Sequence, residues 1–203
     1  MEGVFPQRSP VGIFDRNILC RECDALMGPW DQHAQEMLLK DIPEDTSIFY
    51  RQKRIAYEIP QFDYKRLKLF FVSLLWRASI SSHKFFERIS LGQQENILRD
   101  MILSQSPGPP EQYGVTLARF EIPVANGMLD PHPETFDGVD FCRFYLTGYV
   151  VYIHIDNKPP PSWLADFAIK ETKPITVILR DFHASKDGTL MRDIAKKAMM
   201  HRR

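Results

Sequence analysis

Two of the chain's three cysteines, Cys20 and Cys23, stand two residues apart in the stretch ILCRECDALMGPWDQHAQEMLL, residues 18–39. Zinc takes four N or S ligands in a tetrahedron, and two thiolates at this spacing, just ahead of a helical stretch, chelate one edge of it. One such pair is half a site. His33, in the helix that follows, is the candidate third ligand. Asp24, Asp31 and Glu36 are oxygen donors close by, and Cys142 is remote in sequence. A second copy of the chain, giving its own Cys20 and Cys23, would complete a shared site and make a homodimer. The competing reading is a pair of ordinary buried thiols. Redox chemistry fits poorly, because a redox C-x-x-C opens a helix in a βαβ setting that this sequence lacks.

Other residue types with chemistry are scattered. None of the six histidines pairs with another at helical i, i+4 spacing, and there is no Walker or dinucleotide-binding glycine pattern. His132 lies between prolines in an acidic stretch; His154 precedes Asp156 by two, which puts both on one face of a strand. Arg180, Asp181, His183 and Asp187 gather near a strand end and form the best remaining acid/base group. Ser79, Ser81 and Ser82 precede His83, but sequence neighbours seldom make a nucleophile and its base. Trp76-Arg77 suggests a buried, paired arginine or, more sharply, a phosphate ligand. No residue is assigned a catalytic role.

Lys+Arg and Asp+Glu both number 26, so the chain has no net charge to draw it to a polyanion. The distribution is uneven, however. Residues 1–46 carry four basic residues against nine acids, and 51–99 carry ten against four. The basic block makes Arg51, Lys53, Arg54, Lys65, Arg66 and Lys68 candidates for nucleic-acid contact. The plainer reading is solvated faces that pair with their neighbours.

These residues need elements to hold them. At 203 residues and 44% hydrophobic content, the chain suits one ordinary domain with a small appendage. The expected division is an arm over 1–46, holding a partial zinc knuckle, and an α+β domain over 47–203. MEGVFPQRSPVGIFD reads as an extended lead-in, and Pro29 suits the first position of a helix. SIFYRQKRIAYEIP offers two short strands. DYKRLKLFFVSLLWRASIS, apolar nearly all round and capped by Asp63, belongs in the core. Ser90 and Gln93 suggest a capping box for the next helix, with Ile97, Leu98, Met101 and Ile102 inward. Then the period changes to that of strands: YGVTLARFEIP, a hairpin around Thr147-Gly148, and PITVILRDF. VANGMLDPHPETFDG between the first two reads as an acidic loop, and a basic amphipathic helix closes the chain. The order predicts an α+β fold, with central apolar helices packed on an antiparallel sheet. The longest apolar run, LFFVSLLW, is far short of the ~20 residues a membrane helix needs. The three cysteines and the lack of a secretory segment point to a reducing cytoplasm.

GIFDRNILCRECDALMGPWDQHAQ, with the downstream LKLFFVSLLWRASIS, resembles the distal half of an HNH-like zinc module found in uncharacterised bacterial proteins, over roughly residues 12–105. In that pattern a first C-x-x-C and an SH-x-I-P segment, whose histidine is the general base, precede the portion matched here. The resemblance implies that Cys20 and Cys23 are zinc ligands, with Asp24 in the acidic position after them; no general base carries over. The expected function is therefore a truncated or nuclease-incompetent relative with residual zinc and nucleic-acid binding. The alternative is a non-enzymatic protein-interaction module that dimerises through a shared zinc.

Overall fold

A computed structural model describes residues 15, 18–40, 45–121 and 129–200, with side chains except at 194, 195 and 197–200. The lead-in expected before residue 15 lies outside the described residues.

Helix α1 spans Arg21–Leu38. It starts eight residues before Pro29, so the proline is interior and the helix begins earlier than the proline suggests. The true start is set by Cys20, whose sulfur accepts the Cys23 N–H at 3.4 Å. Pro29 has no N–H and so leaves one carbonyl a turn earlier without its helical donor. Met27, Trp30, Ala34, Met37 and Leu38 are buried along one face, the i, i+3, i+4, i+7 pattern of an amphipathic helix.

Helix α2, Tyr64–Ile80, is the core element. Its Asp63 cap accepts the Arg66 N–H at 2.9 Å. Leu67, Phe71, Val72 and Leu75 are fully buried. A 3-10 turn, Lys84–Phe86, leads to α3, Gln94–Leu103. The expected capping box is not made: Gln93 is the N-cap and gives no side-chain bond, and Ser90 is exposed. Leu98, Met101 and Ile102 point inward as expected, but Ile97 is 45% exposed.

Among the described residues seven strands form one sheet: β1 Ser47–Tyr50, β2 Lys53–Ile59, β3 Val115–Phe120, β4 His132–Phe136, β5 Val139–Leu146, β6 Tyr149–His154 and β7 Ile175–Arg180. Their order is β1-β2-β7-β3-β6-β5-β4. All neighbours are antiparallel except β3 and β7, which run parallel with Leu117 opposite Val177. The fold is thus α+β, with helices on a mostly antiparallel sheet. The acidic loop expected before β5 holds a strand instead, β4, turned into β5 through Asp137 and Gly138, both at positive φ. Asp-Gly is a strong signal for such a two-residue turn.

Alternation divides the strands' side chains between two cores. Val115, Leu117, Cys142, Phe144, Tyr149, Val151, Ile153 and Val177 join α1, α2 and α3. Ala118, Phe120, Phe141, Tyr145, Val150 and Tyr152 face the other way, with Leu164 of the short α4, Ser162–Ala165, and Phe182. Helix α5, Lys186–Met200, begins on this second face. Among the described residues no helix is long and apolar enough to cross a membrane.

Candidate functional site

The sequence places a metal pair, a basic segment and an acid/base group, and the fold treats each differently. Cys20 is exposed and Cys23 half-buried, both at the start of α1. The hydrogen bond with Cys20 and then burial raise the Cys23 thiol above its ordinary range, so metal binding there must displace a proton. His33 is ten residues further along the helix, about 15 Å at 1.5 Å per residue. Its Nε2 accepts the Asp63 N–H at 3.2 Å, which fastens α1 to the start of α2. The fold does not bring His33 to the cysteines. Cys142 is buried in the sheet core with its thiol pushed up to about 12 by burial, and a neutral thiol at that depth is an inert packing group. Among the described residues no three His, Cys, Asp or Glu side chains are grouped to hold a metal.

The six candidate nucleic-acid residues separate into three places. Arg51, Lys53 and Arg54 lie at the β1–β2 turn, where Arg51 and Gln52 both take positive φ. Lys65 and Arg66 are exposed on the first turn of α2. Strand β2 begins at Lys53 and carries the chain away from the turn before α2 starts, roughly 20 Å of strand. Lys68 is a correction: it is 1% exposed, and its ammonium donates to the Gln112 and Tyr113 carbonyls at 2.8 and 2.6 Å. Burial lowers its pKa to about 7. Its position among Leu67, Leu69 and Phe71 in a helix apolar nearly all round was the available warning.

The hairpin end holds more than charge. Phe49 and Tyr50 are 62% and 58% exposed, and the Arg51 guanidinium lies 5.2 Å from the Tyr50 ring centre. Ile55 is also exposed. Lys53 reaches Glu121 at 3.7 Å, a surface pair. Among the described strands β1 lies at the rim of the sheet, so this aromatic and basic surface sits at the sheet's edge.

The strand-end group splits. Asp181 accepts the His183 and Ala184 N–H groups in a local turn, and both Asp181 and His183 are exposed. Asp187 turns inward to 4% exposure and meets Arg143, Tyr145 and Arg180. Arg143 and Tyr145 of β5 were not singled out from sequence; two residues apart on one strand, they share a face with Tyr152 of β6. The alternation of FCRFYL was the signal, since it sends an arginine inward. Glu134 of β4 pairs with Arg143 at 2.8 Å.

The remaining candidates make local contacts. Ser81 and Ser82 donate to Asp15, and His83 Nδ1 accepts the Phe85 N–H. Ser79 donates to Glu95 and accepts the Leu91 N–H. His132 Nδ1 lies 3.0 Å from the Asp130 carbonyl. His154 is buried against the Phe141 ring, and Asp156 binds the Asp140 and Lys158 amides.

Comparison of the chain with family models, with curated proteins and with solved structures found no match.

Proposed function

We propose that the chain is a nucleic-acid-binding relative of the HNH-like zinc-module proteins, without nuclease chemistry of its own, and that single-stranded nucleic acid lies on the β1–β2 hairpin. One observation carries this: two exposed aromatic rings, Phe49 and Tyr50 at the end of β1, adjoin Arg51 of the turn and Lys53 at the start of β2. Bases stack on exposed rings for about 1–3 kcal/mol each, while neighbouring cations take the phosphates. The resemblance over residues 12–105 supports the ancestry, and it carries over no general base.

The test is fluorescence anisotropy of labelled single strands against the full chain, across a salt series. Binding should weaken with salt at a slope of roughly 0.7 per phosphate contact. Phe49→Ala with Tyr50→Ala should cost about tenfold or more, and Lys53→Ala should lower the salt slope. Binding indifferent to salt, or unchanged by loss of both rings, would sink the reading.

The exposed Cys20 sulfur beside Cys23 supports a second reading, a homodimer bridged by zinc. Elemental analysis would then give about half a zinc per chain, since two pairs fill the four ligand positions of one ion. Cys20→Ser would leave a monomer in sedimentation. An unchanged dimer in that variant, or no dimer in the wild type, counts against it.

A further inference from the structure

The buried charges on the second sheet face form a set of donors aimed at one carboxylate. The Arg143 Nη2 donates to Asp187 Oδ2, and the Tyr145 hydroxyl donates to Oδ1 at 2.8 Å. Arg180 Nη1 approaches Oδ2 at 3.4 Å and also donates to the Tyr152 oxygen at 2.8 Å. The Arg143 guanidinium lies 5.2 Å from the Tyr145 ring centre and 5.3 Å from that of Tyr152, so two aromatic rings help fix its plane.

One donor in this set has no acceptor. Arg143 Nε is buried and unpartnered. In a guanidinium, Nε–H and Nη2–H lie side by side on one edge, the edge that takes both oxygens of a carboxylate or phosphate in parallel. Asp187 uses half of that edge: one oxygen goes to Nη2, and the other turns to Tyr145. A buried N–H with no partner carries a cost of about 1–3 kcal/mol. A ligand free of the α5 backbone would take Nε and Nη2 together, with Tyr145 and Arg180 on its remaining lone pairs.

Among the described side chains of the helix that brings Asp187, the buried ones lie at its first turn. Ser185, Asp187 and Gly188 are buried, whereas Thr189, Leu190, Arg192, Asp193 and Lys196 are exposed and Met191 is half-buried. Asp187 is thus the one carboxylate that α5 places among these donors. Without it, Arg143, Arg180 and Glu134 leave one uncompensated positive charge.

We propose that Arg143, Arg180 and Tyr145 form a binding site for an oxyanion, a phosphoryl or carboxylate group, and that Asp187 occupies it as an intramolecular stand-in. Docking of α5 and binding of the external anion exclude one another. A tethered competitor acts at an effective concentration of about millimolar or more, so the wild-type chain binds its anion weakly and responds to it by releasing α5. This holds whether or not the hairpin binds nucleic acid.

Calorimetric titration of inorganic phosphate, and separately of acetate, into the full chain and into Asp187→Asn tests the site, at ionic strength matched with sodium chloride. At least one anion should bind Asp187→Asn about tenfold or more tighter than wild type, because the competing charge is gone. Adding Arg143→Lys, which keeps the charge and loses the fork, should abolish that gain. Phosphate acting alone assigns a tetrahedral ligand and acetate alone a planar one; both outcomes support the site. If neither anion favours Asp187→Asn, or if the gain survives Arg143→Lys, the proposal fails. Should Asp187→Asn not fold, hydrogen exchange of residues 182–193 in the wild type decides: acceleration by either anion over matched chloride supports the site, and none overturns it.

Discussion

Arg77 grips Asp31 with both arms of its guanidinium, Nη1 to Oδ2 at 3.1 Å and Nη2 to Oδ1 at 2.9 Å, and so ties the last turn of α2 to the middle of α1. The same side chain also donates to the Ser73 carbonyl and hydroxyl one turn back. Of the two readings open for Trp76-Arg77, the structure shows the paired arginine.

Arg77→Lys keeps the charge and loses the fork. Its side chain is 22% exposed and that of Asp31 38%, so solvent screens the pair in part. We expect a loss of about 1 kcal/mol, more than an exposed pair gives and less than a buried one. Urea unfolding of both single variants and of the double variant with Asp31→Asn measures it. If Arg and Asp act as a pair, the double variant loses less than the sum of the singles.

Lys68 gives stability a pH dependence with a definite sign. Below about pH 7 the lysine is charged in both folded and unfolded chains, and the folded chain carries the full cost of burying it. As pH rises past that value the folded chain releases the proton while the unfolded chain keeps it up to about 10.4. The unfolded state then binds more protons, so stability rises with pH across that window, by at most about 1.4 kcal/mol per unit. Lys68→Met has no such proton. The difference in unfolding free energy between wild type and variant should therefore move in favour of wild type from pH 7 to 10, and a flat difference would contradict the assignment. The same variant should leave nucleic-acid affinity unchanged, because the ammonium faces two carbonyls inside the protein.

Most elements were legible because their periods are clean. The stripe through Leu67, Phe71, Leu75 and Ala78 specified α2, and Thr147-Gly148 specified a hairpin through its positive-φ requirement. What failed were features settled at a distance. Pro29 reads as a helix start, yet a cysteine cap nine residues earlier starts the helix and tertiary packing tolerates the proline. Asp137-Gly138 is as good a turn as Thr147-Gly148, but the prolines around His132 hid the strand β4, and an edge strand is where proline is tolerated. The basic segment 51–68 looked continuous in sequence, while in space a strand and a buried face separate its members. Arg143 and Asp187 are 44 residues apart, and no local pattern announces that two inward-facing charges will meet.

Cys20 acts in the fold as a helix cap. Sulfur is a weak acceptor, and serine is among the favoured cap residues. With chelator present, Cys20→Ser should hold or raise the thermal midpoint, whereas Cys20→Ala should lower stability by a few tenths to about 1 kcal/mol. Thermal unfolding followed by circular dichroism at 222 nm separates the two. If serine proves as damaging as alanine, the sulfur contributes something other than its cap bond.

Gly188 sets the entry of α5, and space is the reason. Its N–H bonds to the Ser185 hydroxyl at 3.0 Å, while that hydroxyl donates to the Phe182 carbonyl at 2.7 Å. A methyl group at position 188 would press directly into the Phe182 carbonyl, a backbone atom that cannot swing aside. Phe182 is itself held edge-on against Phe120 at 5.2 Å between ring centres. Relief must come from the helix, so Gly188→Ala should shift the first turn of α5 and withdraw Asp187 from Arg143. In most helices this exchange would stabilise, by about 0.5–1 kcal/mol; here the sign reverses. Hydrogen exchange in residues 186–193 should speed up about tenfold, equivalent to about 1.4 kcal/mol of local opening. Exchange in β3, β6 and α2 should stay protected, because their core lies mainly on the other face of the sheet. Uniform acceleration throughout the chain would show instead that α5 docking and the global fold are one cooperative unit.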